Sequence, residues 1–236
     1  MMTRRMAAWA ALFVAGTLLV MTGLLAVRKS WSQDLPVVDV AIVLAIDVSG
    51  SISEENWKFQ RDGIAEVIGS PAFAAAITSG QIGRVAIAVM QWGTMPRVAL
   101  SWRVVQTAAE ARDLAGAVAV LRRLESGGTC MGAAIKGATA ELGVWEDLAV
   151  RRVIDVSGDG ASNCGLEVAA PRLVAIELGI TINGLPIVTA SEPKVDQWYA
   201  ENVIGGPGHF MVVAEGYRDF AEAFAKKMTT EIAARP

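Results

Sequence analysis

The stretch VVDVAIVLAIDVSGS, Val37 to Ser51, changes character at a single residue. From Val37 to Ile46 every position except Asp39 is apolar, and most of these residues are β-branched. A continuous run of this kind fits a parallel strand buried on both faces better than an amphipathic one. At Asp47 the run stops, and Asp47-Val48-Ser49-Gly50-Ser51 is small and polar. Ser51 with Glu54 makes a capping-box pattern, Glu55 adds a second carboxylate for the helix dipole, and Trp57, Ile64, Val67 and Ile68 recur on one helical face. The predicted unit is strand, polar loop, helix.

The same grammar continues to the C-terminus. Arg84 to Trp92 and Val98 to Val105 read as strands, with too few residues between them for a helical crossover, so they should pair antiparallel. Helices are expected over Thr107 to Leu124 and Met131 to Val144, and a strand over Arg152 to Ser157. Then follow a helix near Arg172 to Leu178, a strand Ile180 to Ile187, a helix near Lys194 to Val203, a strand Phe210 to Val213 and a helix Tyr217 to Ala234. This alternation predicts an α/β fold: a doubly wound, mostly parallel sheet with one antiparallel edge strand and helices on both faces. There are no internal repeats and no low-complexity linker.

Residues 7–27 carry no charge and follow Arg4 and Arg5, the positive start of an export signal or a cytoplasm-facing anchor. The expected organisation is a signal peptide or N-terminal membrane anchor over residues 1–32 and one domain over 33–236. The body is expected to be exported to the periplasm or cell surface, with residues 7–27 as a membrane tether if they are retained. Without residues 1–32 the chain has 17 basic against 24 acidic side chains, a net charge of −7. An acidic body of this kind is a poor partner for nucleic acid.

Open α/β sheets bind ligands at the carboxyl ends of their strands, where strand order reverses. Asp47-Val48-Ser49-Gly50-Ser51 ends the first strand, Ser157-Gly158-Asp159-Gly160 ends the strand around Val153, and Gly127-Gly128-Thr129 leads into the helix at Met131. Asp47, Ser49, Ser51, Thr129 and Asp159 would then converge on one crevice. They offer only hard oxygen donors, which suit Mg²⁺, Mn²⁺ or Ca²⁺ better than zinc or copper. Mg²⁺ fits best, and five protein donors leave a coordination position for water or an incoming oxygen.

Asp47-x-Ser49-x-Ser51, then Thr129, then Asp159 in Asp-Gly, resembles the metal-ion-dependent adhesion site of von Willebrand factor A and integrin I-type domains, over roughly Val37 to the C-terminus. The resemblance implies that the serines and threonine contact the metal, that the aspartates bind it directly or through water, and that a partner carboxylate completes the shell. Ile182-Asn183-Gly184-Leu185-Pro186 and the run Asn202 to Gly208 look similar to an exported bacterial group of this fold whose function is unknown. One departure stands out: the family pattern has a threonine immediately before the last Asp-Gly, and this chain has Gly158.

Asp155, mid-strand, is expected either to pair with Arg61 or Arg152 or to be drawn toward the metal. Cys130 and Cys164 flank the proposed site, and in an oxidising compartment they form a disulfide or stay two separately buried thiols. Trp92, at the same strand edge, is either part of a partner-recognition surface or packing under a loop. His209, the lone histidine, reads as structural. No catalytic motif is present, so the expected function is a non-enzymatic module using its cation to capture a protein or peptide carboxylate. The alternatives are a Mg²⁺-dependent hydrolase or phosphatase, and a structural envelope component with a degenerate site.

Overall fold

The computed structural model describes residues 35–234, so the expected signal or anchor over 1–32 lies outside the described residues. Residues 37–234 form one compact unit. Its centre is a five-stranded sheet of order β3-β2-β1-β4-β5. The strands are β1 (Val38–Asp47), β2 (Val85–Trp92), β3 (Arg97–Val105), β4 (Ala149–Gly158) and β5 (Thr181–Pro186). β1 pairs in parallel with both β2 and β4, β4 pairs in parallel with β5, and only β3 is antiparallel, on β2. The strand order reverses at β1, where the chain leaves toward β2 on one side and later returns as β4 on the other. A crevice therefore opens between the carboxyl ends of β1 and β4.

The continuous apolar run of β1 is buried along its length because helices cover both of its faces. Val40, Ile42, Leu44 and Ile46 point into a core made with helices α1 (Glu54–Gly69), α2 (Pro71–Thr78), α3 (Ala108–Ala119) and α7 (Phe220–Ala233). The alternate residues Ala41, Val43 and Ala45 are small and face the other layer. There α4 (Met131–Glu141) buries Met131, Ala134, Ile135 and Ala138, and α5 (Ala169–Glu177) packs beside it. A short 3₁₀ turn, Leu142–Trp145, continues α4, and α6 (Val195–Asn202) lies over β5. Among the described residues no helix is long and apolar enough to cross a membrane.

Four local expectations are corrected. Ser51 does not cap α1; the cap is Ser53, whose side chain accepts from the Asn56 amide at 3.1 Å. An additional helix, α2, starts at Ser70-Pro71, with the serine accepting from the Phe73 amide and the proline pre-setting φ in the first turn. The helix expected to Leu124 ends at Ala119. Phe210 to Val213 is not a strand: around it only single bridges form, Gly184 with Met211 and Ile187 with Ala214.

Candidate metal centre

Asp47 is the last residue of β1, level with Trp92 of β2, and its neighbour Ile46 is level with Ser157 of β4. The strand registers thus bring Asp47 and Asp159 to one edge. The Asp47 carboxylate is fully buried. Its Oδ1 accepts from the Ser49 amide at 2.7 Å, while Oδ2 is buried with no hydrogen-bond partner. Burial pushes this carboxyl up from 3.8 to about 7; the Ser49 amide and hydroxyl oppose the shift and the Asp159 carboxylate adds to it.

The other expected residues meet here. The Ser49 and Ser51 hydroxyls lie 3.2 Å apart, Thr129 Oγ1 donates to Ser49 Oγ at 3.4 Å, and Ser51 Oγ donates to Asp159 Oδ1 at 2.8 Å. All five residues therefore belong to one connected cluster. The Asp159–Ser51 bond resolves which aspartate of β4 and its loop faces the crevice. Asp155 instead lies deeper, where Lys227 Nζ of α7 meets its Oδ1 at 2.7 Å. It is paired, as expected, but neither anticipated partner is the one used: Arg61 pairs with its neighbour Asp62, and Arg152 donates to the Leu178 carbonyl.

Three loops hold the cluster by close backbone approach. The Gly50 amide donates to the Gly127 carbonyl at 2.7 Å, and a Cβ on Gly50 would stand 3.1 Å from that oxygen. Thr129 is clamped by the 159–166 loop: its amide donates to Asn163 Oδ1 at 2.9 Å, and its carbonyl accepts from the Asn163 amide and the Ser162 hydroxyl, each at 3.1 Å. The next residue in each loop is a cysteine, and Cys130 and Cys164 are joined in a disulfide with Cα atoms 4.8 Å apart. The bridge thus fastens the Thr129 loop to the loop that follows Asp159.

Arg123 escaped the sequence reading. Its guanidinium donates to the carbonyls of Val48 and Ser49, each at 2.6 Å, and of Ile52 at 2.8 Å, so it organises the Asp47–Ser51 loop from outside. This role depends on α3 ending at Ala119, which frees Arg123 to leave the helical path. Trp92 is fully buried, so its ring is packing and not a recognition surface. His209 is exposed with Nδ1 2.8 Å from the Gly206 carbonyl, a loop contact away from the cluster.

The residues present fit a hard divalent cation. A buried carboxylate oxygen without a partner is unfavourable unless a charge or donor meets it. Here such an oxygen belongs to a cluster of three hydroxyls and a second carboxylate, all oxygen donors. Asp47, Ser49, Ser51, Thr129 and Asp159 would hold the ion, which would supply a Lewis-acidic point able to accept one further oxygen.

Known structures share the fold. The proximal thread matrix protein 1 of the mussel byssus, in a structure described as having a zinc-occupied MIDAS motif, aligns with a TM-score of 0.58 at 15% identity, over 83% of this chain and 46% of that one. A von Willebrand factor type A protein from Catenulispora acidiphila aligns with a TM-score of 0.55 at 19% identity, over 83% and 43%. The vWF domain of the type V pili tip protein Mfa5 from Porphyromonas gingivalis aligns with a TM-score of 0.57 at 10% identity, over 86% of this chain and 99% of that domain. The chain thus spans about half the length of the mussel and Catenulispora proteins and all of the pilus domain. No curated protein matches the sequence. The fold is that of von Willebrand factor A domains, and, with its family model matched across residues 37–236, the chain belongs to the family described as "Protein of unknown function (DUF1194)".

Proposed function

We propose that this chain is an extracytoplasmic, metal-dependent protein-binding module. In it Asp47, Ser49, Ser51, Thr129 and Asp159 hold a divalent cation that captures a carboxylate of a protein or peptide partner. The observation that carries the proposal is the unpartnered, fully buried Asp47 Oδ2 within a cluster of hydroxyls. Mg²⁺ is the proposed ion on donor chemistry; the mussel protein takes zinc in its MIDAS motif, so zinc belongs in the same titration. A binding role is favoured over hydrolysis because the Arg123 guanidinium beside the Asp47–Ser51 loop is occupied by backbone carbonyls, and the single histidine lies elsewhere. Export is supported by the apolar run after Arg4 and Arg5, and relatives in fold include a pilus tip protein and a byssus matrix protein.

Thermal unfolding of the purified protein in Mg²⁺ and in chelator tests the cation. At a hundred-fold excess over Kd, binding adds about 2.7 kcal/mol, which in a domain of this size raises Tm by roughly 5–10 °C. Asp47→Asn should abolish the shift. Partner capture from envelope extracts should then require the cation in wild type and fail in Asp47→Asn. A wild-type Tm indifferent to Mg²⁺, Mn²⁺, Ca²⁺ and zinc would sink the metal site, and capture undiminished by chelator would sink the bridging role.

A further inference from the structure

Gly158 breaks the family pattern, and the structure gives the break a physical reason. A Cβ at this position would stand 2.8 Å from Asp47 Oδ2 and 2.9 Å from the Tyr199 hydroxyl. The two oxygens therefore border the space that a side chain at 158 would fill. Both are buried, and neither has a hydrogen-bond partner. Tyr199 comes from α6 and reaches this point through a second glycine. Gly184 of β5 is paired with Val156 of β4, and a Cβ there would stand 3.0 Å from the Tyr199 ring. Two glycines on adjacent strands thus open a slot that one tyrosine occupies. Its ring is wholly buried and its hydroxyl lies at the edge of the cation cluster.

We infer that Tyr199 is a positioning residue of the metal centre: its hydroxyl, which with Asp47 Oδ2 borders the space left by Gly158, moves into hydrogen-bond reach when a cation binds and becomes the donor that orients the Asp47 carboxylate. A phenol is suited to this because it donates without carrying charge. Groups hydrogen-bonded to metal-ligating carboxylates fix ligand orientation, and their loss costs about 10–100-fold in affinity. The role belongs to this chain's own arrangement, a glycine at the end of β4 whose open side-chain space is bordered by a tyrosine from α6.

The inference rests on the proposed cation site, and the experiment separates the two. Calorimetric Mg²⁺ titration is run on wild type, Tyr199→Phe, Gly158→Ala and the double variant, with tyrosine difference absorbance recorded on metal addition. Tyr199→Phe keeps the buried ring and removes only the hydroxyl. It should weaken Mg²⁺ binding about ten-fold or more, leave metal-free unfolding close to wild type, and diminish the metal-induced tyrosine signal. In the Gly158→Ala background, where the added methyl already displaces both oxygens, the same change should cost little. No Mg²⁺ binding by wild type would defeat the cation site itself. Wild-type binding with unaltered affinity and spectrum in Tyr199→Phe, or an equal cost in both backgrounds, would overturn the role of Tyr199.

Discussion

Asp47 is held in a state that suits a cation and disfavours the metal-free fold. Its carboxyl is pushed up from 3.8 to about 7, chiefly by burial, so the folded chain binds this proton more tightly than the unfolded chain does. The sign follows from linkage: the contribution to metal-free stability is complete below about pH 4 and is lost as pH rises through about 7. A shift of this size corresponds to about 4 kcal/mol. A cation bound at the proposed site would reverse the trend, since it needs the ionised form and would have to displace the proton below that range. The stabilisation by Mg²⁺ should therefore be small at pH 5 and grow toward pH 8. Paired melts with and without Mg²⁺ across this interval measure it, and an equal shift at both ends would exclude Asp47 as the ligand that titrates.

At the scale of elements, the two serines before α1 have separate roles. Ser53 caps the helix, while the Ser51 hydroxyl is turned to Asp159. Ser53→Ala should lower stability by about 1 kcal/mol equally in Mg²⁺ and in chelator. Ser51→Ala should leave the chelated protein nearly unchanged and diminish only the response to metal. Denaturant midpoints in both conditions decide, and a Ser51→Ala loss independent of metal would return Ser51 to the capping role. The sequence misleads here because Ser51 has Glu54 three residues on and Ser53 has Asn56, so the pattern favours the wrong serine. β1 was legible because burial on both faces leaves a continuous apolar run, and the five cluster residues were legible because they sit at strand ends and loops. Arg123 was not, since Val118-Ala119-Val120-Leu121 gives no local stop signal and the guanidinium's carbonyl partners lie mostly some seventy residues away. Tyr199 was hidden for a similar reason: its place depends on two glycines in strands distant in sequence.

At the scale of the whole molecule, the last helix is tied to the middle of the sheet by charges that no periodicity announces. Lys227 of α7 is wholly buried, 2.7 Å from Asp155 of β4 and 3.1 Å from Glu231 one turn further along. Asn183 of β5 donates to both oxygens of Glu231, at 2.8 and 2.9 Å, and Arg151 donates to the Glu231 carbonyl at 2.6 Å. Buried charges of this kind are seldom better than apolar packing, yet removing one partner strands the other. Lys227→Met should therefore cost about 3–5 kcal/mol, a large share of the roughly 5–15 kcal/mol that holds a domain folded. The cost should also depend on pH. Burial raises the Asp155 carboxyl to about 6 even with Lys227 opposing it. Without the lysine it rises further, and stability retained at low pH is lost as the carboxyl is forced to ionise. The deficit of Lys227→Met relative to wild type should accordingly widen from pH 5 to pH 8. Pairing it with Asp155→Leu should recover part of the loss, because no charge then remains at that strand position to be stranded. Urea midpoints of the three proteins at the two pH values test this. A deficit that is constant with pH, or a double variant no better than Lys227→Met alone, would mean that α7 is held by its apolar face, through Phe220, Phe224, Met228 and Ile232, and that the ion network adds nothing to its anchorage.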